Sequence, residues 1–280
     1  MMSGRPAGHG KQISYYGFGR TTMFACQYDQ RFSYCLYVPE SYQEDGEQTY
    51  PLVVLVHGTN RTAQEYRDHF AGFAEQEQCI VLAPLFPVGI IEPGELSSYK
   101  FIAFHDIRFD LVLLAMIDEI SELYRLQADR FLLQGFSGGG HFAHRFFYLH
   151  PERLRGVSIA APGMVTLLDD SKPWWVGTGN LEAEFGIRPD VGAMRRVAVQ
   201  MVVGAEDTDT WEITIPEGAR WWMPGVNDTG VTRIDRIRTL KANWESHGIA
   251  VQLDLLPGVR HQGVPMLDAA ARFFSGVLRG

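Results

Sequence analysis

Short apolar runs alternate with amphipathic stretches along most of the chain. Pro51-Leu-Val-Val-Leu-Val56 is continuously apolar and β-branched, and runs at 79–83, 131–134, 156–160 and 197–203 repeat the pattern. Apolar runs of this length, bounded by Gly and Pro, suit parallel strands buried on both faces. Segments 32–38 and 249–256 alternate apolar and polar positions and read as strands with one solvated face. Between the strands, apolar residues recur at helical spacing over about 62–78, 105–126, 138–150, 231–247 and 265–278. Pro84 is expected to close the strand at 79–83. Strands alternating with helices predict an α/β fold: a mostly parallel sheet with helices on both faces.

Two stretches break the rhythm. Segments 163–196 and 208–230 are rich in Pro, Gly and Trp and are expected to form cap or pocket-wall excursions from a single domain spanning 1–280. Residues 1 to about 20 are Gly-rich and polar and read as a loosely held arm. With 280 residues, 46% of them hydrophobic, the chain can bury one large core. A formal net charge of −8 and no basic block argue against nucleic acid or an anionic membrane as partner. The N-terminal stretch has no apolar h-region, so a cytoplasmic location is expected. Three cysteines, Cys26, Cys35 and Cys79, are odd in number and without metal-ligand spacing, which fits reduced structural thiols better than a Cys26–Cys35 bridge. A homo-oligomer is compatible with this composition, which does not specify one.

In open α/β sheets, chemistry gathers at the C-terminal ends of the strands. His57, Ser137, Asp207 and His261 all fall at or just past such ends. Ser137 lies in Gly135-Phe-Ser-Gly-Gly139, between an apolar run and a helical pattern, which is the layout of a nucleophile elbow. A serine hydroxyl needs a base to take its proton, and the base needs a carboxylate to fix its tautomer. The chain order Ser, acid, His selects Asp207 and His261, with Glu206 and Asp209 as rival acids and His141, His144 and His247 as poorer bases. The amides of Gly138 and Thr59 are the expected oxyanion donors. Trp174, Trp175 and Trp211 could supply an aromatic substrate wall, and His57 and His141 could face the pocket. His141 and His144 have helical spacing but no carboxylate joins them, so no metal is expected. No dinucleotide fingerprint or P-loop is present, so no cofactor is expected.

These residues resemble the α/β-hydrolases. The resemblance is nearest to the polyhydroxybutyrate-depolymerase and feruloyl-esterase-like branch, which shades into dienelactone hydrolases. It rests on 51–59, on Asp129 through Gly140, on 150–157 and on Gly204-Ala-Glu-Asp207. It implies a cofactor-independent serine esterase acting on a small or aromatic ester or lactone through an acyl-enzyme. An amidase or peptidase using the same triad is the alternative, and a catalytically silent ligand-binding member of the fold is a third reading. Segment 97–104, Ser-Ser-Tyr-Lys-Phe-Ile-Ala-Phe, departs from the aromatic-rich stretch usual in this branch, and both Trp-rich excursions are longer than its connections. These departures point to a small ester, lactone or amide rather than a polymer.

Overall fold

The computed structural model describes residues 13–280. The start of the expected N-terminal arm lies outside them. The described part is not loose. Ile13 is buried, the Tyr124 hydroxyl donates to Gly17 O at 2.8 Å, and β1 (Gly19–Arg20) pairs with the later strand β3 (Ser33–Val38). The elements then run β2 (Phe24–Ala25), β3 (Ser33–Val38), β4 (Tyr50–Val56), α1 (Ala63–His69), α2 (Ala71–Glu77) and β5 (Ile80–Leu85). A small hairpin follows, β6 (Ala103–Phe104) and β7 (Ile107–Arg108), and then α3 (Phe109–Leu123) and β8 (Leu126–Phe136). After them come α4 (Gly138–Leu149), β9 (Leu154–Ala160), α5 (Leu181–Phe185), α6 (Val191–Met194) and β10 (Ala198–Gly204). The chain closes with α7 (Arg233–Ser246), β11 (Gln252–Leu256) and α8 (Gly263–Arg279).

The main sheet has the order β1-β3-β5-β4-β8-β9-β10-β11, with β2 also on the outer edge of β3. Strand β3 runs antiparallel to β5, and every pair from β5 to β11 is parallel. Helices α1, α2 and α8 pack together on one face. On the other, α4 meets α7 through Phe147 and Trp244, and meets α3 through the His150–Asp110 pair. The central strands carry the core: Val53, Val54, Leu55, Val56, Leu133 and Val157 are fully buried. Each such side chain contributes about 1.5–3 kcal/mol relative to exposure.

Four predicted boundaries move, each for a local reason. The single helix over 62–78 is two helices meeting at Phe70, whose φ of −83° and ψ of 0° turn the chain so that Phe70 and Ala74 both reach the core. Strand β5 runs through Pro84 because pairing to β4 has already ended at Leu82, and Tyr34 of β3 still registers opposite Pro84. The helix over 105–126 starts only at Phe109, since His105, at φ +53°, forms a turn that folds 103–108 into the hairpin. Strand β8 is longer than 131–134 and is bulged between Phe131 and Leu132.

One polar row crosses the buried sheet. Gln134, Ser158 and Gln200 stand in register on β8, β9 and β10; Ser158 Oγ donates to Gln200 Oε1 at 2.7 Å, and Gln200 Nε2 donates to Asp254 at 2.6 Å. Gln134 is fully buried, and its amide nitrogen and oxygen have no protein partner among the described residues. Removing an unsatisfied buried amide relieves a desolvation cost of about 1–3 kcal/mol. Gln134→Met is therefore expected to raise the thermal midpoint by about 2–4 °C for each kcal/mol gained. A lower midpoint by calorimetry would mean that bound water satisfies the amide.

Candidate active site

The chemistry-bearing residues converge because four parallel strands end at one edge. The turn after β8 carries Ser137, the turn after β4 carries Thr59, the turn after β10 carries Asp207, and the loop after β11 carries His261. Ser137 sits at φ +54° and ψ −111°, a backbone conformation that non-glycine residues rarely adopt and that costs on the order of 1–3 kcal/mol. Close packing holds it there. A Cβ on Gly135 would lie 2.0 Å from Gly139 O, and one on Gly139 would lie 2.1 Å from Val56 O. These glycines let the elbow press against β4 and against its own helix.

A continuous hydrogen-bonded line runs through the three chain-distant side chains. Ser137 Oγ lies 3.0 Å from His261 Nε2, and His261 Nδ1 lies 2.7 Å from Asp207 Oδ2. Because the carboxylate can only accept, Nδ1 carries the proton and Nε2 is free to accept from the serine. The imidazole packs against Phe136 at 4.7 Å between centroids, which fixes its plane. Glu206 and Asp209 do not stand behind this ring. Asp207 is buried, and Arg233, also buried, donates to its other oxygen at 3.1 Å and to Glu212 at 2.6 Å.

Gly138 is the first residue of α4, so its N–H lacks an intrahelical partner and stands at the positive end of the helix. Thr59 and Ser137 line the same two spaces. One is a cleft of about 280 Å³ that also includes His261, Gly263, Val264 and Leu267. The other is a recess of about 50 Å³ lined by Lys100, His141, Gly163, Met164, Glu212, Ile213 and Arg233. A larger groove of about 760 Å³ along β11 and α8 contains none of Ser137, Asp207 or His261.

No family model and no curated protein matches the sequence. Solved structures do match. The chain is similar to poly(aspartic acid) hydrolase-1 from Sphingomonas sp. KT-1, with a TM-score of 0.72, 21% identity, and 91% of this chain and 97% of that one covered. A poly(3-hydroxybutyrate) depolymerase from Bordetella parapertussis gives a TM-score of 0.72 at 22% identity, covering 92% and 91%. A ferulic acid esterase gives 0.61 at 16% identity, covering 92% and 96%. The chain has the α/β-hydrolase fold.

Within this α/β-hydrolase fold, several sequence-predicted residues stand elsewhere than expected. His57 is fully buried and does not line the cleft. Its Nδ1 donates to Gly58 O at 2.8 Å and its Nε2 accepts from Phe86 N at 3.0 Å, so the ring ties β4's turn to the segment after β5. Trp174 and Trp175 turn inward: Trp174 packs edge-on to Phe185 at 5.0 Å and Trp175 to Phe101 at 4.9 Å. Trp211 is 79% exposed and lines neither space. Large indoles satisfied their apolar area against the body of the protein rather than in the pocket. Both excursions nevertheless reach the recess, through Gly163 and Met164 and through Glu212 and Ile213.

His141 touches the recess, but its ring is a structural tie. Its Nδ1 donates to Ser137 O and its Nε2 accepts from Met164 N, both at 2.8 Å. His144 repeats the arrangement between Gly140 O and Thr166 N. The pair bolts the first excursion to the helix that follows Ser137, and among the described residues no group of three or more His, Cys, Asp or Glu could hold a metal. His247 caps α7 by donating to Asn243 O at 2.8 Å. The three cysteines are free and buried. Among the described residues no helix is long and apolar enough to cross a membrane. Arg233 and Lys100 were invisible to motif reasoning. Arg233 lies in an ordinary helix start, whereas Lys100 lies in the 97–104 segment that departs from the resembled pattern.

Two expectations follow from the buried rings and the buried arginine. Burial holds His57 down to about 4 and holds His141 and His144 well below the ordinary imidazole value. The unfolded chain binds these protons near pH 6.5 while the folded chain does not, so stability falls as pH drops from about 6.5 toward 4, by up to about 1.4 kcal/mol per pH unit for each ring. Urea unfolding at pH 7.5, 6 and 5 measures that slope; His144→Gln should flatten it, and an unchanged slope would refute the assignment. Arg233→Met leaves a buried oxygen of Asp207 without its donor, so the carboxylate behind His261 is held less firmly. Turnover of an ester substrate should then fall by about tenfold or more in folded protein, and unchanged turnover would refute the positioning role.

Proposed function

We propose that this protein is a serine hydrolase that cleaves a carboxylic ester through an acyl-enzyme. The observation that carries the reading is the unbroken line from Asp207 through His261 to Ser137, at 2.7 and 3.0 Å, beside the helix start at Gly138. In this mechanism Ser137 Oγ attacks the carbonyl carbon as His261 Nε2 takes its proton. Charge developing on the carbonyl oxygen is held by the N–H groups of Gly138 and Thr59. When the tetrahedral adduct collapses, the imidazolium gives its proton to the departing alkoxide and the acyl group stays on Ser137. Water, deprotonated by the same nitrogen, then attacks the acyl-enzyme and releases the acid. Asp207 stays ionised throughout and stabilises the imidazolium.

The two spaces around Ser137 have different parts in this reading. The cleft contains His261, the proton donor to the leaving group, so it takes the alcohol. The recess lacks His261 and takes the acyl chain, and at about 50 Å³ it suits a short one. The names of the similar structures, an ester-polymer depolymerase and a ferulic acid esterase, support ester cleavage. The name of the poly(aspartic acid) hydrolase favours a second reading, since that polymer is linked by amides.

A fluorophosphonate probe should label the wild-type protein and fail to label Ser137→Ala. Ester turnover should fall on the order of 10⁴-fold or more in that variant. Folded wild-type protein that takes no label would favour a silent ligand-binding member of the fold. Steady-state rates on matched ester and amide pairs separate the two enzymatic readings: the ester should be the faster substrate, and a faster amide would reverse the order.

A further inference from the structure

Lys100 enters the recess without a carboxylate partner. Its Nζ reaches Ser97 Oγ at 3.3 Å, and among the described residues no acid stands within ion-pair distance of it. It lies close to the reacting centre, since a Cβ built on Gly138 would be 3.0 Å from Lys100 Cε. Isolated charges are seldom left half-buried beside an empty space unless something of opposite sign fills it.

The surroundings reinforce that sign. Arg61 spends its guanidinium on the carbonyl oxygens of Thr59, Phe86 and Leu96. Arg145, buried on α4, stacks on Phe101 and Trp175, donates to Thr166 Oγ1 and Lys100 O, and leaves Nη2 without a partner among the described residues. Arg236 likewise donates to Gly163 O and Ile213 O. The acids nearby are already engaged. Asp207 and Glu212 share Arg233, and Glu95 accepts from Ser97 N and lies 3.6 Å from Arg220. Of the charged groups, Lys100, Arg233 and Glu212 line the recess, and Arg233 pairs with Glu212, which leaves Lys100 as the lining cation with no carboxylate partner among the described residues.

We propose that the recess binds a carboxylate on the acyl portion of the substrate, with Lys100 as the residue that recognises it. This rests on the serine-esterase reading above. The substrate class is then a monoester of a short dicarboxylic acid: the scissile carbonyl sits at Ser137 and the distal carboxylate meets the Lys100 ammonium. A recess of about 50 Å³ is small enough to suit a carboxylate group and to exclude a long acyl tail. Burial, with Arg61 and Arg145 facing it, pushes the Lys100 ammonium down to about 8, against the opposing pull of Glu212 and Glu95. Anion recognition therefore weakens as pH rises through that value.

The test compares monomethyl succinate with its neutral isostere methyl 4-methylpentanoate, following release of methanol by wild type, Lys100→Met and Lys100→Arg. Wild type should favour the anionic ester in kcat/KM by roughly tenfold or more, as expected for one charge-assisted hydrogen bond. That ratio should collapse in Lys100→Met, be partly kept in Lys100→Arg, and decline above pH 8 in wild type. A wild-type enzyme that takes both esters equally, or a ratio untouched by Lys100→Met in folded protein, overturns the proposal. Fluorophosphonate labelling of the same samples keeps the two readings apart. Labelled protein without the preference refutes the anion site alone, whereas unlabelled, inactive wild type refutes the esterase reading beneath it.

Discussion

The contact between the Ser137 turn and the backbone of β4 is the constraint on which the rest of the site depends. Gly139 lies so near Val56 O that even a methyl group would collide, and Ser137 is held at a positive φ as a result. Because the turn cannot relax outward, the serine hydroxyl and the first amide of α4 stand at fixed places above the sheet edge. The parallel strands on either side bring Thr59, Asp207 and His261 to that edge. Strain at one residue is thus maintained by the cooperative packing of a large core, where a local loop could not sustain it.

A second layer fixes the first. His261 is oriented by Asp207 and Phe136, and Asp207 is in turn held by Arg233. Behind Ser137, His141 and His144 each give a proton to a carbonyl of their own helix start and take one from an amide of the first excursion. These rings are neutral in the folded state because burial penalises their charge. Around them, Arg61 and Arg236 donate to carbonyl oxygens, while Arg145 donates to one carbonyl and one hydroxyl and stacks on aromatic rings.

The sheet, and the meeting of Ser137, Asp207 and His261 at one edge of it, are legible in the sequence because each rests on a local pattern. Continuous β-branched runs mark buried strands, and a Gly-flanked serine marks a turn that must pass close to its neighbours. His57 misled because a histidine at a strand end looks the same whether its ring faces a ligand or Phe86 N. Trp174 and Trp175 misled because indoles in an irregular segment carry no periodicity to say which way they face. Lys100 and Arg233 depend on elements far away in the chain, 37 and 96 residues from Ser137, and no spacing rule connects them. The break at Phe70 and the turn at His105 are backbone choices made by tertiary packing over a continuous apolar pattern.

The histidine ties and the Arg145 stack bear on how a molecule could reach Ser137. Swinging the first excursion away would strand two ring nitrogens, two amides and a guanidinium in apolar surroundings at once. Such an opening carries a high desolvation cost. The cleft lined by His261 reaches Ser137 without that movement, so a molecule entering there meets the serine with both histidine ties intact.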